Sequence, residues 1–446
     1  MIDKPRSRKP RRTPTGRIER FARLSSAATG VAVRLAGGRL VEHLLPADQR
    51  QASRHRALTK SGQQIVRVMG DLKGAAMKIG QMMSINVDEL PPELQQALAT
   101  LQRSAPPMDY RMVVDQIETA LDRPITNLFR RFDPEPVGAA SIGQVHRAET
   151  HAGRQVAVKV QYPGIASTID SDVKNLASLL TMAGVVTDRE KVDAYVEEVR
   201  SILAEESDYE HEARNLIEYG RLLARYPDVV VPQPDLERTG TTVLTMDYIE
   251  GTKLDEYLAA LPVGVERNRL AERFVTLMAS MLHDLHALHA DPHPGNFLVT
   301  PDGRIGLLDF GCVRHFPAKF ADGILELIQS VWTGDAERLA AAYRTLGFGS
   351  RSHDHYDPDV LYEFSEMILK PFLDDEPFHF GNWEVILSVR KYVLQHLELM
   401  TLTPPREFLL FMRVVAGLRG LLVKLDITFN ACRMAREIAA RQPGAA

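Results

Sequence analysis

The segment His289-Ala-Asp291-Pro-His293-Pro-Gly-Asn296, with Asp309-Phe-Gly311 thirteen positions beyond Asn296, sets an acid, an amide and a second acid in one order. That order suits phosphoryl transfer. The reaction asks for little covalent work, so the protein must place metal ions against phosphates and orient the acceptor. Oxygen ligands suit magnesium, and Asn296 and Asp309 supply them. Asp291 remains to take the acceptor proton.

These side chains must be brought together by the chain between them. The apolar stretches 297–299 and 305–308, separated by Thr300-Pro-Asp-Gly303, predict two short strands around a glycine-containing turn. Each fragment alone reads as ordinary turn chemistry. Their order and register together favour the phosphate reading.

Upstream, Gly138-Ala139-Ala140-Ser141-Ile-Gly143-Gln-Val145 follows the pattern G-x-G-x-x-G-x-V, with Ala140 in the place of the middle glycine. The β-branched run Val156-Ala-Val-Lys159-Val160 follows, and its lysine has the setting of one that pairs with α- and β-phosphates. A lysine in an apolar strand needs a carboxylate partner. Glu205, Glu206, Asp208, Glu210 and Glu212 are the candidates, and helical periodicity alone does not choose among them.

On these residues the chain resembles the UbiB, or aarF-domain-containing, family of atypical kinases over most of residues 20 to 430. Lys78-Ile-Gly80-Gln81 is similar to that family's K-x-G-Q signature, Ala139-Ala140-Ser141 to its alanine-rich loop, and Glu206-Ser-Asp208 to its E-x-D signature. The catalytic segment Asp291 to Asn296 and Asp309-Phe-Gly311 complete the likeness. The resemblance implies an α+β fold, two-lobed and protein-kinase-like, with a helical N-terminal extension that lays K-x-G-Q over the active site. It implies ATP or ADP with Mg2+ as cofactors, and an ATPase or phosphotransferase serving ubiquinone or other isoprenoid-lipid metabolism. Asp291, Lys159 and Glu212 would be catalytic, and Gly138, Ala139, Ala140, Ser141 and Lys159 would bind the nucleotide. Asn296 and Asp309 would hold the metal, with Lys78, Gln81 and Glu206 regulatory. Glu212, six residues past Glu206, would be the pairing glutamate on the same helix. Gly138 departs from the alanine usual at that position, which loosens the loop.

The implied organisation is a disordered basic arm over 1–20, the helical extension over 21–125, a kinase-like N-lobe over 126–250 and a helical C-lobe over 251–446. Apolar residues at three- and four-residue steps from Val66 to Met83 predict a helix that puts Lys78 and Gln81 on one face. A further helix is predicted over 109–121, and strands near Val229-Val-Val231 and Thr242 to Met246. Asp247-Tyr-Ile-Glu-Gly251 would connect the lobes.

Composition fits a globular protein, with 45% hydrophobic and 25% charged residues in 446. Only Cys312 and Cys432 are present, which points to a reducing compartment and to packing rather than disulfides. Residues 1–23 carry nine basic against two acidic side chains, while the whole chain is net −4. Such an arm beside the small-residue segment 21–36 fits an anionic membrane surface or isoprenoid lipid, with lipid-biosynthesis proteins as further partners. Nucleic acid is not expected, because the rest of the chain is acidic and lacks an aromatic-interleaved basic stripe. No apolar run approaches the ~18 residues of a membrane span, so the expected location is cytoplasmic, peripheral at the inner face of a membrane. His283, His286, His289 and His293 lie close together but lack the further ligands of a zinc site. The competing functions are a small-molecule kinase of the aminoglycoside or choline type, and a non-catalytic nucleotide-binding scaffold.

Overall fold

The computed structural model describes residues 108–441, apart from 141, 168, 170–172, 175–195, 198–199, 202, 292, 351–356 and 384. Lys78, Gln81, Ser141, the basic arm and the helix expected around Lys78 lie outside the described residues.

In chain order the principal elements begin with α1 (Tyr110–Leu121), β1 (Arg131–Ala140), β2 (Gly143–Glu149) and β3 (Gln155–Gln161). Next come α2 (Tyr209–Leu222), β4 (Val229–Val230), β5 (Val243–Asp247), β6 (Thr252–Lys253), α3 (Leu254–Ala260) and α4 (Val265–Leu285). The segment from Asp291 to Asp309 is framed by β7 (Ala287–His289), β8 (Phe297–Val299), β9 (Ile305–Leu307) and β10 (Val313–His315). Helices α5 (Ala318–Thr333), α6 (Ala336–Leu346), α7 (Pro358–Leu369), α8 (Val385–Gln395), α9 (Arg406–Lys424) and α10 (Ala431–Ala439) make up most of the remainder. Sheet and helix are thus mixed in the α+β manner expected.

The chain divides into two units, the first ending at Tyr209 but reclaiming Gly240–Leu244, the second taking Glu210–Thr239 and everything from Thr245. In the first, α1 starts where the Asp109 carboxylate accepts from Arg111 N–H at 2.9 Å, an N-cap on the predicted helix. Val113 and Ile117, one turn apart, are its buried residues. The sheet runs in the order β1-β2-β3-β5. Pro134 and Pro136 are tolerated because β1 is an edge strand, and its register shifts at Pro136. On β3, Val156, Val158 and Val160 are fully buried, and the opposite face is nearly so, as in a strand covered on both sides.

In the second unit the predicted hairpin forms as β8 and β9, pairing Phe297 with Leu307 and Val299 with Ile305. Gly303 closes the turn at φ 82°, a left-handed conformation suited to glycine. β4 joins by parallel pairing of Val229 with Ile305, giving the order β4-β9-β8-β6. Gly251 is needed at the approach to β6, since a Cβ there would stand 2.8 Å from the Val299 carbonyl oxygen. Among the described residues no helix is long and apolar enough to cross a membrane.

Candidate functional site

In the second unit the chemistry is assembled from turns. After α4, His286 adopts a left-handed conformation at φ 51° and turns the chain into β7, which pairs with β10. The segment between β7 and β8 is therefore pinned at both ends. Within it, Pro294–Asn296 form one tight helical turn, and the His293 Nδ1 accepts from Gly295 N–H at 3.1 Å. A side chain at 295 would press on that imidazole, with a Cβ 3.0 Å from Nδ1.

Asn296 points its amide nitrogen back, donating to the Asp291 carbonyl at 3.1 Å and to its carboxylate Oδ2 at 3.2 Å. The five-residue spacing thus closes a ring that fixes the carboxylate and commits Asn296 Nδ2 as a donor, with Oδ1 as the accepting atom of the same amide. Across the hairpin Leu308 N–H donates to the Asn296 carbonyl at 2.9 Å, which delivers the next residue, Asp309, beside Asn296. Gly311 N–H donates to Asp309 Oδ1 at 3.0 Å and orients that carboxylate. Asp291, Asn296 and Asp309 are thus brought together, and the oxygen donors of Asn296 and Asp309 match what magnesium prefers.

The turn after Asp309 is locked from beneath. Phe310 is fully buried, and its ring lies 5.1 Å from the Tyr219 ring on α2 and 5.7 Å from His289. Asn215, also on α2, donates to the Phe310 carbonyl at 2.8 Å, and His289 Nε2 bonds the Asp309 carbonyl. The His289 ring also lies 5.1 Å from Phe297, so one buried imidazole links β7, β8 and the Asp309 turn. Burial pushes the Tyr219 phenol above its ordinary value, with Glu218 adding to the rise. Arg413 of α9 donates to the Ala290 carbonyl at 3.4 Å, reaching the residue before Asp291 from 123 positions away.

Sequence reasoning missed Asn215, Tyr219 and Arg413. Asn215 had a usable signal, three residues after Glu212 on one helix. Arg413 had none. The other clustered histidines have separate tasks: His283 is buried in α4, His286 ends it and His293 caps a turn. Among the described residues no group of three metal-binding side chains is found in a metal-holding arrangement. Cys312 and Cys432 are both buried, as expected of packing residues.

In the first unit, Gly138, Ala139 and Ala140 are the last residues of β1, paired with Val145, Gln144 and Gly143. The alanine-rich segment is therefore the end of a β-hairpin rather than a free loop. Gly143 must be glycine, because a Cβ there would collide with the Val160 carbonyl. Lys159 is buried on β3, with Nζ 4.9 Å from the centre of the Tyr209 ring. Glu206 is also buried. Helical residues 203–206 stop at Ser207, and α2 starts afresh at Tyr209, so Glu206 and Glu212 do not share a helix as the sequence suggested. The reason is that Ser207 and Tyr209 turn their backbones to other partners, the Gln161 side chain and the Thr241 carbonyl. Glu212 is buried on α2.

An antiparallel sheet carrying a buried lysine, and a helical unit whose hairpin sets Asp291, Asn296 and Asp309 side by side, define a protein-kinase-like molecule. Comparison with known proteins narrows the class. A family model for the ABC1 atypical kinase-like domain matches residues 100–343. The mitochondrial atypical kinase coq-8 of Caenorhabditis elegans is 33% identical over 380 residues, 84% of this chain and 50% of that protein. Mitochondrial atypical kinase COQ8B of Rattus norvegicus is 30% identical over 421 residues, 94% of this chain and 79% of the relative. A solved structure, the Rv3197–erythromycin complex from Mycobacterium tuberculosis, matches with a TM-score of 0.59 at 26% identity, over 88% of this chain and 98% of that one. The chain belongs to the ABC1, or UbiB, family of atypical kinases; it spans about half the length of the nematode relative.

Proposed function

We propose that this protein binds ATP or ADP with magnesium and turns ATP over, as an ATPase or phosphotransferase acting in ubiquinone or other isoprenoid-lipid metabolism. The observation that carries the reading is the closure of Asn296 onto the Asp291 carboxylate beside Asp309. Asn296 and Asp309 would hold the metal through oxygen, and magnesium when bound would offset phosphate charge. Asp291, fixed by the Asn296 amide, would take the proton from the attacking water or acceptor hydroxyl as the γ-phosphoryl group leaves ADP.

Lys159 and Glu212, each buried, would be the ammonium and the carboxylate of the nucleotide-binding set, and Gly138, Ala139, Ala140 and Ser141 would bind the phosphates. Lys78, Gln81 and Glu206 are assigned to gating. The isoprenoid assignment and the membrane surface follow from the family resemblance and from the basic, acid-poor segment 1–23.

The test is magnesium-dependent ATP turnover by the purified chain with and without anionic vesicles, alongside Asp309→Asn. Turnover should rise with vesicles, and the variant should lose at least about 10²-fold in rate, typical of removing a group that stabilises transferred charge. Equal turnover in the variant would overturn the assignment. Phosphorylation of a soluble hydroxylated metabolite would move the substrate class to small molecules.

A further inference from the structure

The β3 face that carries Lys159 shows more than a lysine. Side chains alternate along a strand, so Ala157, Lys159 and Gln161 share one face and the three buried valines the other. Two residues beyond the ammonium, the Gln161 amide donates to the Ser207 carbonyl at 2.7 Å and to the Thr241 carbonyl at 3.4 Å. Gln161 N–H donates to the Thr242 carbonyl at 3.0 Å, and Tyr209 N–H donates to the Thr241 carbonyl at 3.2 Å. The turn that follows Glu206 is thereby stapled to the face of β3, and the residue it presents there is Tyr209. Its side chain is fully buried, and its ring centre lies 4.9 Å from Lys159 Nζ.

We propose that Tyr209 is a positioning residue for Lys159, a fixed aromatic platform that holds the buried ammonium ready for nucleotide phosphate; this rests on the nucleotide-binding reading above. The distance lies inside the ~6 Å over which a ring face attracts a cation, and exclusion of water strengthens the attraction. A ring differs from a carboxylate in one respect that matters here. It attracts the charge without accepting any particular N–H, so it adds a hold on the ammonium that does not compete with phosphate oxygens for the lysine's three donors. Its place is set by backbone hydrogen bonds and by Gln161, not by the lysine, so the platform is ready before ligand arrives. The spacing of the E-x-D turn then has a positional meaning: it sets the aromatic residue that follows it against β3.

The test is calorimetric titration of the full-length protein with magnesium and a non-hydrolysable ATP analogue. The variants are Tyr209→Phe, Tyr209→Leu and a series placing progressively fluorinated phenylalanines at 209. Tyr209→Phe should stay within about twofold of the parent, whereas Tyr209→Leu should bind about tenfold more weakly. Because fluorine draws electron density from the ring face without changing its shape much, affinity should fall stepwise along the series. A purely packing role would leave that series flat. A flat series, or a folded Tyr209→Leu with parental affinity, overturns the proposal while leaving the nucleotide reading intact. Absence of binding by the parent protein overturns both. If Tyr209→Leu does not fold, the near-isosteric fluorinated series decides alone.

Discussion

The β8–β9 hairpin and the β3 face both hold polar groups in apolar surroundings, but they do so over different lengths of chain. In the hairpin the decisive bonds span few residues: Asn296 to Asp291 is five apart, and Gly311 to Asp309 two. On β3 the Gln161 amide reaches across 46 residues to Ser207 and 80 to Thr241. The first arrangement is written by turn chemistry and needs a floor. The second closes long loops, at an entropic cost that packing around the valines of β3 must offset. Local geometry is therefore robust in the one, and depends on the integrity of the whole unit in the other.

The floor of the hairpin is where this contrast is easiest to break. Phe310→Ala removes a fully buried ring seated on Tyr219 and His289, and should cost about 3–5 kcal/mol in urea unfolding. A loss below about 1 kcal/mol would show that the turns hold without it.

A smaller effect comes from pH. His283, in α4 just ahead of β7, is pushed down to about 4, chiefly by burial, with His286 lowering it further and Asp284 opposing. A histidine whose folded pKa is depressed binds protons more readily when unfolded. Its contribution is therefore complete above the unfolded value of about 6.5 and is lost as pH falls toward 4. Acidification through that window should cost on the order of 3 kcal/mol, and His283→Gln should flatten that part of the stability profile. An unchanged profile would remove His283 from the account.

The mildest test concerns the first unit. An added Cβ at Gly138 meets nothing within 4 Å, and its φ is not in the left-handed range. Gly138→Ala, the residue usual in the resembling family, should stabilise by about 0.4–1 kcal/mol by restricting the unfolded chain. Thermal melting decides this, and destabilisation would mean the hairpin end exploits its freedom.

Legibility in the sequence followed the same contrast. The strands of the hairpin, its glycine turn and helix α1 could be read because apolar spacing and Gly303 lie within a few residues of what they determine. The lysine strand was readable from its β-branched composition. The break between Glu206 and Tyr209 was not, because it is made by partners on β3 and at Thr241, and nothing between Glu205 and Glu212 has glycine or proline to announce it. The seating of Phe310 by Asn215, and of Ala290 by Arg413, likewise depends on contacts 95 and 123 residues away. Such contacts leave no local pattern.

The return of Gly240–Leu244 to the first unit means the polypeptide passes from one unit to the other three times. No single cut can release either unit whole. A fragment starting at Thr252 would strip β9 of its parallel neighbour Val229–Val230 and the Phe310 carbonyl of its donor Asn215. Attempts to express the helical half alone should therefore begin no later than Glu210, and would still have to bridge the five residues that belong elsewhere.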